Sequence, residues 1–194
     1  EHLLPEADER TRKASEVEED AILTALREDY RPLFEFAFLS GIRLSNLRLL
    51  TWTQVDFSER ILRLSVKSRK PGGRIVEIPI TGAMLTLLAN QAGHHPIYVF
   101  TYVCARSRGL RRKGERYPFS KNGWRKEWAW ALEAAGVSDF RFHDIRHTAA
   151  RRTMAVVGNP KIVQQQLGHA SINSTMKYLA RIIHGGAHKV TANV

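Results

Sequence analysis

The sequence predicts a mainly α domain with one small antiparallel β-sheet (α+β), and three observations predict it. Apolar residues recur at helical spacing through most of the 194-residue chain. One stretch, residues 61–80, alternates instead with period two. Glycines, and an Asn-Pro pair, fall where the helical stretches should stop or start. With 43% apolar residues the chain can bury a real core, and its length suits one domain, or one plus an extension.

In chain order, residues 1–15 hold Pro5, many charges and little periodicity, so they read as a linker into a first helix over about residues 16–27. Leu33, Phe34, Phe36, Ala37, Phe38 and Leu39 make a short buried helix that Gly41 can end in the left-handed conformation. Another helix follows over about residues 44–50. Leu62, Leu64 and Val66 then alternate with Arg63, Ser65 and Lys67, and after residues 68–73 the alternation resumes with Val76, Ile78 and Ile80. That pattern is a β-hairpin whose turn carries Lys and Arg. Residues 81–91 read as helix and residues 105–118 as a loop bearing six bases and one acid.

Trp124, Trp128, Leu132 and Ala135 recur at helical spacing up to Gly136, which makes the two tryptophans core residues rather than base-stacking platforms. A helix runs from about His143 to Val157. Asn159-Pro160 supplies an N-cap and a first-turn proline, and Gly168 ends that helix two turns later. The last helix opens near Ser171, with Ile172, Met176, Leu179 and Ile183 in one stripe. At about 100° per residue, Tyr178 points roughly 130° away from the stripe's centre and is expected off the core.

The formal net charge is +11, and residues 1–20, with eight acids and three bases, hold −5 of it, so residues 21–194 carry +16. Such a body binds polyanions by default. The single cysteine, Cys104, excludes an internal disulfide framework and a Cys-based zinc site, and fits a reducing compartment. No apolar run approaches the roughly 20 residues a membrane helix needs, and no charged-then-apolar leader opens the chain. A cytoplasmic protein without membrane contact is therefore expected. The first residue is Glu1, which reads as a piece of a longer protein.

His143 and Arg146 lie three apart near a helix start, so both project from one face toward a single ligand group. An imidazole beside a guanidinium, at the positive end of a helix dipole, suits a phosphodiester. His143, Asp144 and His147 superficially imitate the H-E-x-x-H zinc helix, but Asp is one methylene short and spacing assigns no further ligand, so no metal is expected. Downstream, Leu167-Gly168-His169 places an imidazole at a helix end, held by a glycine turn beside the helix of Tyr178.

The series Arg43, Lys67, His143-x-x-Arg146, Leu167-Gly168-His169 and Tyr178 resembles the catalytic domain of the tyrosine recombinases, the phage integrase family. The local text agrees: Ser40-Gly41-Ile42-Arg43, Leu50-Thr51-Trp52, Phe142-His143-Asp144-Ile145-Arg146-His147-Thr148, and Leu167-Gly168-His169-Ala170-Ser171 followed by Thr175. The resemblance implies that fold over residues 16–184, with residues 185–194 as a C-terminal tail.

It also implies cleavage and rejoining of double-stranded DNA without metal, cofactor or hydrolysis. Tyr178 attacks a phosphorus to give a 3′-phosphotyrosine and a free 5′-hydroxyl. Arg43 and Arg146 stand in for a metal on the nonbridging oxygens, and His143 accepts the phenol proton. Lys67 protonates the leaving 5′-oxygen, with Arg69 and Lys70 competing for that role by sequence alone. His169 hydrogen-bonds the same phosphate. One position departs from the pattern: the family usually places Glu or Asp three residues after the first arginine, and here stands Asn46, which brings no negative charge.

The family's separate N-terminal DNA-binding domain has no room before residue 16, so weak and mostly nonspecific DNA binding is expected of this chain. Residues 180–194 resemble the tail that docks on a neighbour in a homotetramer assembled on DNA; packing on its own body, or fraying, is the alternative, and a monomer is possible in isolation. A type IB topoisomerase-like strand transferase and a DNA-binding protein with a decayed site are the alternatives.

Overall fold

The computed structural model describes residues 12–66, 73–169 and 171–184, with Val66 and the last four of these by backbone only. Lys67 with the hairpin turn, and the tail from residue 185, lie outside the described residues. Eight helices and five strands are formed within them: α1 (Glu16–Ala25), α2 (Arg31–Ser40), α3 (Leu44–Leu47), β1 (Val55–Asp56), β2 (Ile61–Val66), β3 (Arg74–Pro79), α4 (Gly82–Gln91), β4 (Thr101–Val103), β5 (Arg116–Pro118), α5 (Arg125–Ala134), α6 (Phe142–Val157), α7 (Pro160–Leu167) and α8 (Ile172–His184).

The helices start where the sequence provides caps. Ser15 and Glu18 form a reciprocal capping box on α1. Asn159 accepts from the Lys161 N–H ahead of Pro160 on α7. The ring of Trp128 on α5 stacks on Phe34 of α2, with centroids 4.9 Å apart and planes 1° apart, so Trp128 is a core residue, and Trp124 packs partly buried against the same core.

α2 packs on α6 and ends at Gly41 with φ +66°. A Cβ at Gly41 would stand 3.0 Å from Leu167 Cδ2 and 3.1 Å from Ala149 Cβ. Glycine therefore serves twice here, for the left-handed turn and for the close approach of α2 to α6 and α7. The chain leaves that turn through Ile42 and reaches Arg43 beside the same two helices.

Strands β1, β2 and β3 form an antiparallel sheet in that order. The register Leu62↔Ile78 and Leu64↔Val76 puts all four side chains on its buried face. The expected single sheet is corrected by a second one: β4 and β5 pair antiparallel, Tyr102 opposite Tyr117, inside the stretch read as a loop. Three-residue strands are too short to show a period. Between them the basic residues close a tight turn, with Arg108 and Arg111 exchanging both backbone hydrogen bonds at 2.9 and 3.1 Å. The helix expected over residues 44–50 is also shorter. Leu50 turns its carbonyl to accept from Val99 N–H at 2.9 Å, and Thr51 caps a following 3-10 turn.

The final helix is rotated relative to expectation. Thr175 and Leu179 are buried, Tyr178 packs on a small cluster of Ala150, Val163 and Leu167, and Ile172 and Met176 are exposed. α8 packs on α6 and α7, and a 2.9 Å hydrogen bond between His169 Nδ1 and Thr175 Oγ1 draws that polar face inward. The correction concerns Tyr178 directly: the phenol rests on the body of the protein instead of pointing off it. No helix among the described residues is long and apolar enough to cross a membrane.

Candidate functional site

The N-terminal turns of α6 present His143, Arg146 and His147 together. Asp144, within that turn, accepts from the Arg141 backbone N–H at 2.7 Å, so its carboxylate tightens the helix start. Among the described residues no three His, Cys, Asp or Glu side chains are grouped to hold a metal.

Arg146 is 5% exposed, and among the described residues its guanidinium is held by backbone carbonyls. Nη1 donates to the Gly41 carbonyl at 2.8 Å and Nη2 to the Leu167 carbonyl at 2.7 Å. These carbonyls lie at the C-terminal ends of α2 and α7, where helix dipoles favour a cation. The rest of the planar fork stays available to a ligand. Burial, and then the neighbouring Arg43 charge, push its pKa down to about 10, which still leaves it a cation at neutral pH.

Arg43 is exposed at the N-cap of α3. Its charge acts on Arg146, His143, His169 and Tyr178, so it faces the same hollow. Neither arginine forms an ion pair among the described residues. Two cations brought together without a bound acid repel, and an anion between them removes that repulsion.

His169 follows the left-handed Gly168, φ 62°, that stops α7. Its backbone carbonyl accepts from Arg74 Nη2 and Gln164 Nε2, both at 3.3 Å. When the Thr175 hydroxyl donates to Nδ1, Nε2 carries the proton and becomes a donor. Burial first, then Arg146 and Arg43, push the His169 pKa down to about 4. The half-buried His143 is lowered by burial, Arg146 and Arg43 despite Asp144 nearby. Both imidazoles are therefore neutral at pH 7.

The Tyr178 hydroxyl is buried and has no hydrogen-bond partner among the described residues. Burial raises its pKa far above the usual phenol value, opposed by the charges of Arg146 and Arg43. Its ring stacks on His147, with centroids 5.1 Å apart and planes 14° apart, and meets His169 edge-on at 5.5 Å. His143 touches His147 edge-on at 5.3 Å, so His147 is the α6 ring lying against the phenol. Beyond His169 a cavity of about 600 Å³ opens between β3 and α7, edged by Arg74, Lys161, Gln164 and Gln165.

Arg43, His143, Arg146, His169 and Tyr178 thus converge from four separate parts of the chain. Lys67 lies outside the described residues; β2 ends at Val66 just before it, and Arg74 on the returning strand reaches His169. The sequence assigns no role to three residues at this site. His147 enters only the motif text and the zinc comparison, although it sits one turn after His143. Thr175 enters only the motif text, one turn before Tyr178, and Arg74 gives no signal beyond its charge.

The chain is similar to known proteins. The family model described as "Phage integrase family" matches residues 13–182. The integrase of Salmonella phage P22 is 28% identical over 160 residues, covering 81% of this chain and 40% of that protein. The tyrosine recombinase XerC of Chromobacterium violaceum is 30% identical over 172 residues, covering 81% and 52%. The chain spans about half the length, or less, of these curated relatives. Among solved structures, the Tn1549 transposon integrase in complex with a circular intermediate DNA superposes with TM-score 0.68 at 15% identity, covering 97% of this chain and 69% of that one. The catalytic domain of bacteriophage HP1 integrase superposes with TM-score 0.60 at 18% identity, covering 95% and 96%. These likenesses show a shared fold.

Proposed function

Since the chain belongs to the phage integrase family, we propose that it breaks and rejoins strands of double-stranded DNA through a tyrosine ester. The observation that carries the proposal is a buried phenol hydroxyl in one hollow with two guanidiniums, the hydroxyl without a hydrogen-bond partner and the guanidiniums without an ion pair among the described residues. A phosphodiester supplies what both lack. Its nonbridging oxygens take the free N–H groups of Arg146 and Arg43, and its phosphorus is the electrophile for Tyr178 Oη.

In the forward step the Oη–P bond forms as the P–O5′ bond breaks. His143, neutral at pH 7, accepts the phenol proton, and Lys67 gives one to the departing 5′-oxygen. His169 Nε2–H donates to a nonbridging oxygen. The product is a 3′-phosphotyrosine and a free 5′-hydroxyl, and a second 5′-hydroxyl reverses the step with no net hydrolysis. The arginines absorb the charge that grows on the phosphoryl oxygens; losing one such donor costs on the order of 10²- to 10³-fold in rate. The raised phenol pKa fits a hydroxyl that keeps its proton until the phosphate and its cations are in place.

Site-specific exchange between two DNA sites, for integration or excision of a mobile element by a homotetramer in the bacterial cytoplasm, is the wider process we assign to this chemistry. The exposed bases on the β4–β5 connection, Arg108, Arg111 and Arg112 among them, suit the flanking phosphates. Incubation with a nicked suicide duplex in EDTA tests the reading. A covalent adduct in the wild type that disappears in Tyr178→Phe supports it. Cleavage abolished by EDTA and retained in Tyr178→Phe overturns it.

A further inference from the structure

His147 takes no part in the steps above, yet it is 8% exposed and is the ring against which the nucleophile rests. Its plane lies within 14° of the Tyr178 plane, while His169 meets Tyr178 edge-on at 82°, so the phenol sits in a corner made by two imidazoles. His147 is itself braced edge-on by His143, at 86°, one turn earlier on α6. Among the described residues the Tyr178 hydroxyl has no hydrogen bond to orient it. The two imidazoles, together with the apolar packing on Ala150, Val163 and Leu167, therefore set the direction in which Oη points.

Direction matters because attack on phosphorus needs Oη in line with the leaving oxygen at about 3–3.5 Å, and a misplacement of about 1 Å can cost on the order of 10²-fold. α6 also carries Arg146, which donates to the phosphate in the proposed step. One rigid helix thus fixes both the ring that aims the nucleophile and the guanidinium that holds its target.

We propose that His147 is a positioning residue for Tyr178, its flat ring serving as the seat from which the phenol attacks. The proposal rests on the strand-transfer reading of the site. It assigns the work to the shape of the ring and not to its nitrogens, so a phenylalanine should replace it and an alanine should not.

The test compares His147→Ala and His147→Phe in single-turnover cleavage of a suicide duplex at saturating DNA. It uses both an ordinary scissile phosphate and one with sulfur at the 5′-bridging position. A sulfur leaving group needs no proton, so a defect in leaving-group protonation vanishes on that substrate whereas a misaimed nucleophile does not. His147→Ala is expected to slow adduct formation about 10- to 100-fold on both substrates, with the half-saturating DNA concentration unchanged. His147→Phe should stay within about three-fold of wild type. Ring-current shifts report the stack independently: with 13C-labelled tyrosine, the Tyr178 ring signal, identified by its loss in Tyr178→Phe, should move in His147→Ala and stay shielded in His147→Phe.

Wild-type rate in a folded His147→Ala overturns the proposal, as does a His147→Phe variant that keeps the shielded signal yet is as slow as alanine. If His147→Ala does not fold, His147→Phe decides alone: retained rate supports the proposal, and lost rate overturns it. Failure of the wild type to form any Tyr178-dependent adduct instead sinks the strand-transfer reading, and is told apart because it precedes any comparison of variants.

Discussion

Replacing Gly41 by alanine separates two costs that the structure makes calculable. The backbone there has φ +66°, a region that costs an L side chain about 1–2 kcal/mol. The new Cβ would also lie 3.0 Å from Leu167 Cδ2 and 3.1 Å from Ala149 Cβ, an overpacking that typically costs about 1–3 kcal/mol. Gly158, after α6, has the same φ of +66° with nothing within 4 Å of an added Cβ, so its alanine variant bears the first cost alone. Urea unfolding should therefore show Gly158→Ala destabilised by about 1–2 kcal/mol and Gly41→Ala by about 2–5 kcal/mol. Near the melting point that excess corresponds to a Tm lower by several degrees, at about 2–4 °C per kcal/mol for a domain of this size. Gly41→Ala should lose adduct formation as well, even where it is folded, because the Gly41 carbonyl holds Arg146. Equal stability losses in the two variants would refute the claim that α2, α6 and α7 meet closely at Gly41.

Three further outcomes are expected. Arg146→Lys keeps the charge but cannot bridge the Gly41 and Leu167 carbonyls with one planar fork; adduct formation should drop on the order of 10²-fold or more, measured by single-turnover cleavage. His169 has its folded-state pKa pushed down to about 4 from 6.5, so the unfolded chain binds the extra proton first. Stability should then rise with pH between about 4 and 6.5 and fall as acid is added through that window, and His169→Gln should flatten the dependence in urea titrations at several pH values. Replacing Arg108, Arg111 and Arg112 together by alanine should weaken duplex binding without sequence preference. If each meets one phosphate, the slope of log affinity against log salt should fall by about 3.

The parts of the fold that the sequence revealed are those governed by neighbours in the chain. Capping at Ser15 and Asn159, the left-handed glycines 41 and 168, and the alternation of Leu62, Leu64, Val76 and Ile78 all express local rules. β4 and β5 were not legible, because their pairing depends on a turn that returns Tyr117 to Tyr102 and three residues carry no period. The rotation of α8 was hidden for a related reason. Its most apolar stripe is left partly exposed while Thr175 and Tyr178 turn inward, a choice set by His169 and the small cluster on α6 and α7. The same long-range packing kept His147 from view, since only the fold brings residue 178 onto residue 147. Arg43, His143, Arg146, His169 and Tyr178 were individually nameable from motif context; that Arg146 is held by two helix-end carbonyls was not.

Peptide mapping of the material trapped on a suicide duplex bears most directly on the chemistry assigned here. A single nucleotide-bearing peptide, modified on the oxygen of Tyr178 and joined to the 3′ end of the cleaved strand, is the expected result. A link through any other side chain, attachment to the 5′ end, or free hydrolysed ends with no modified peptide would contradict it.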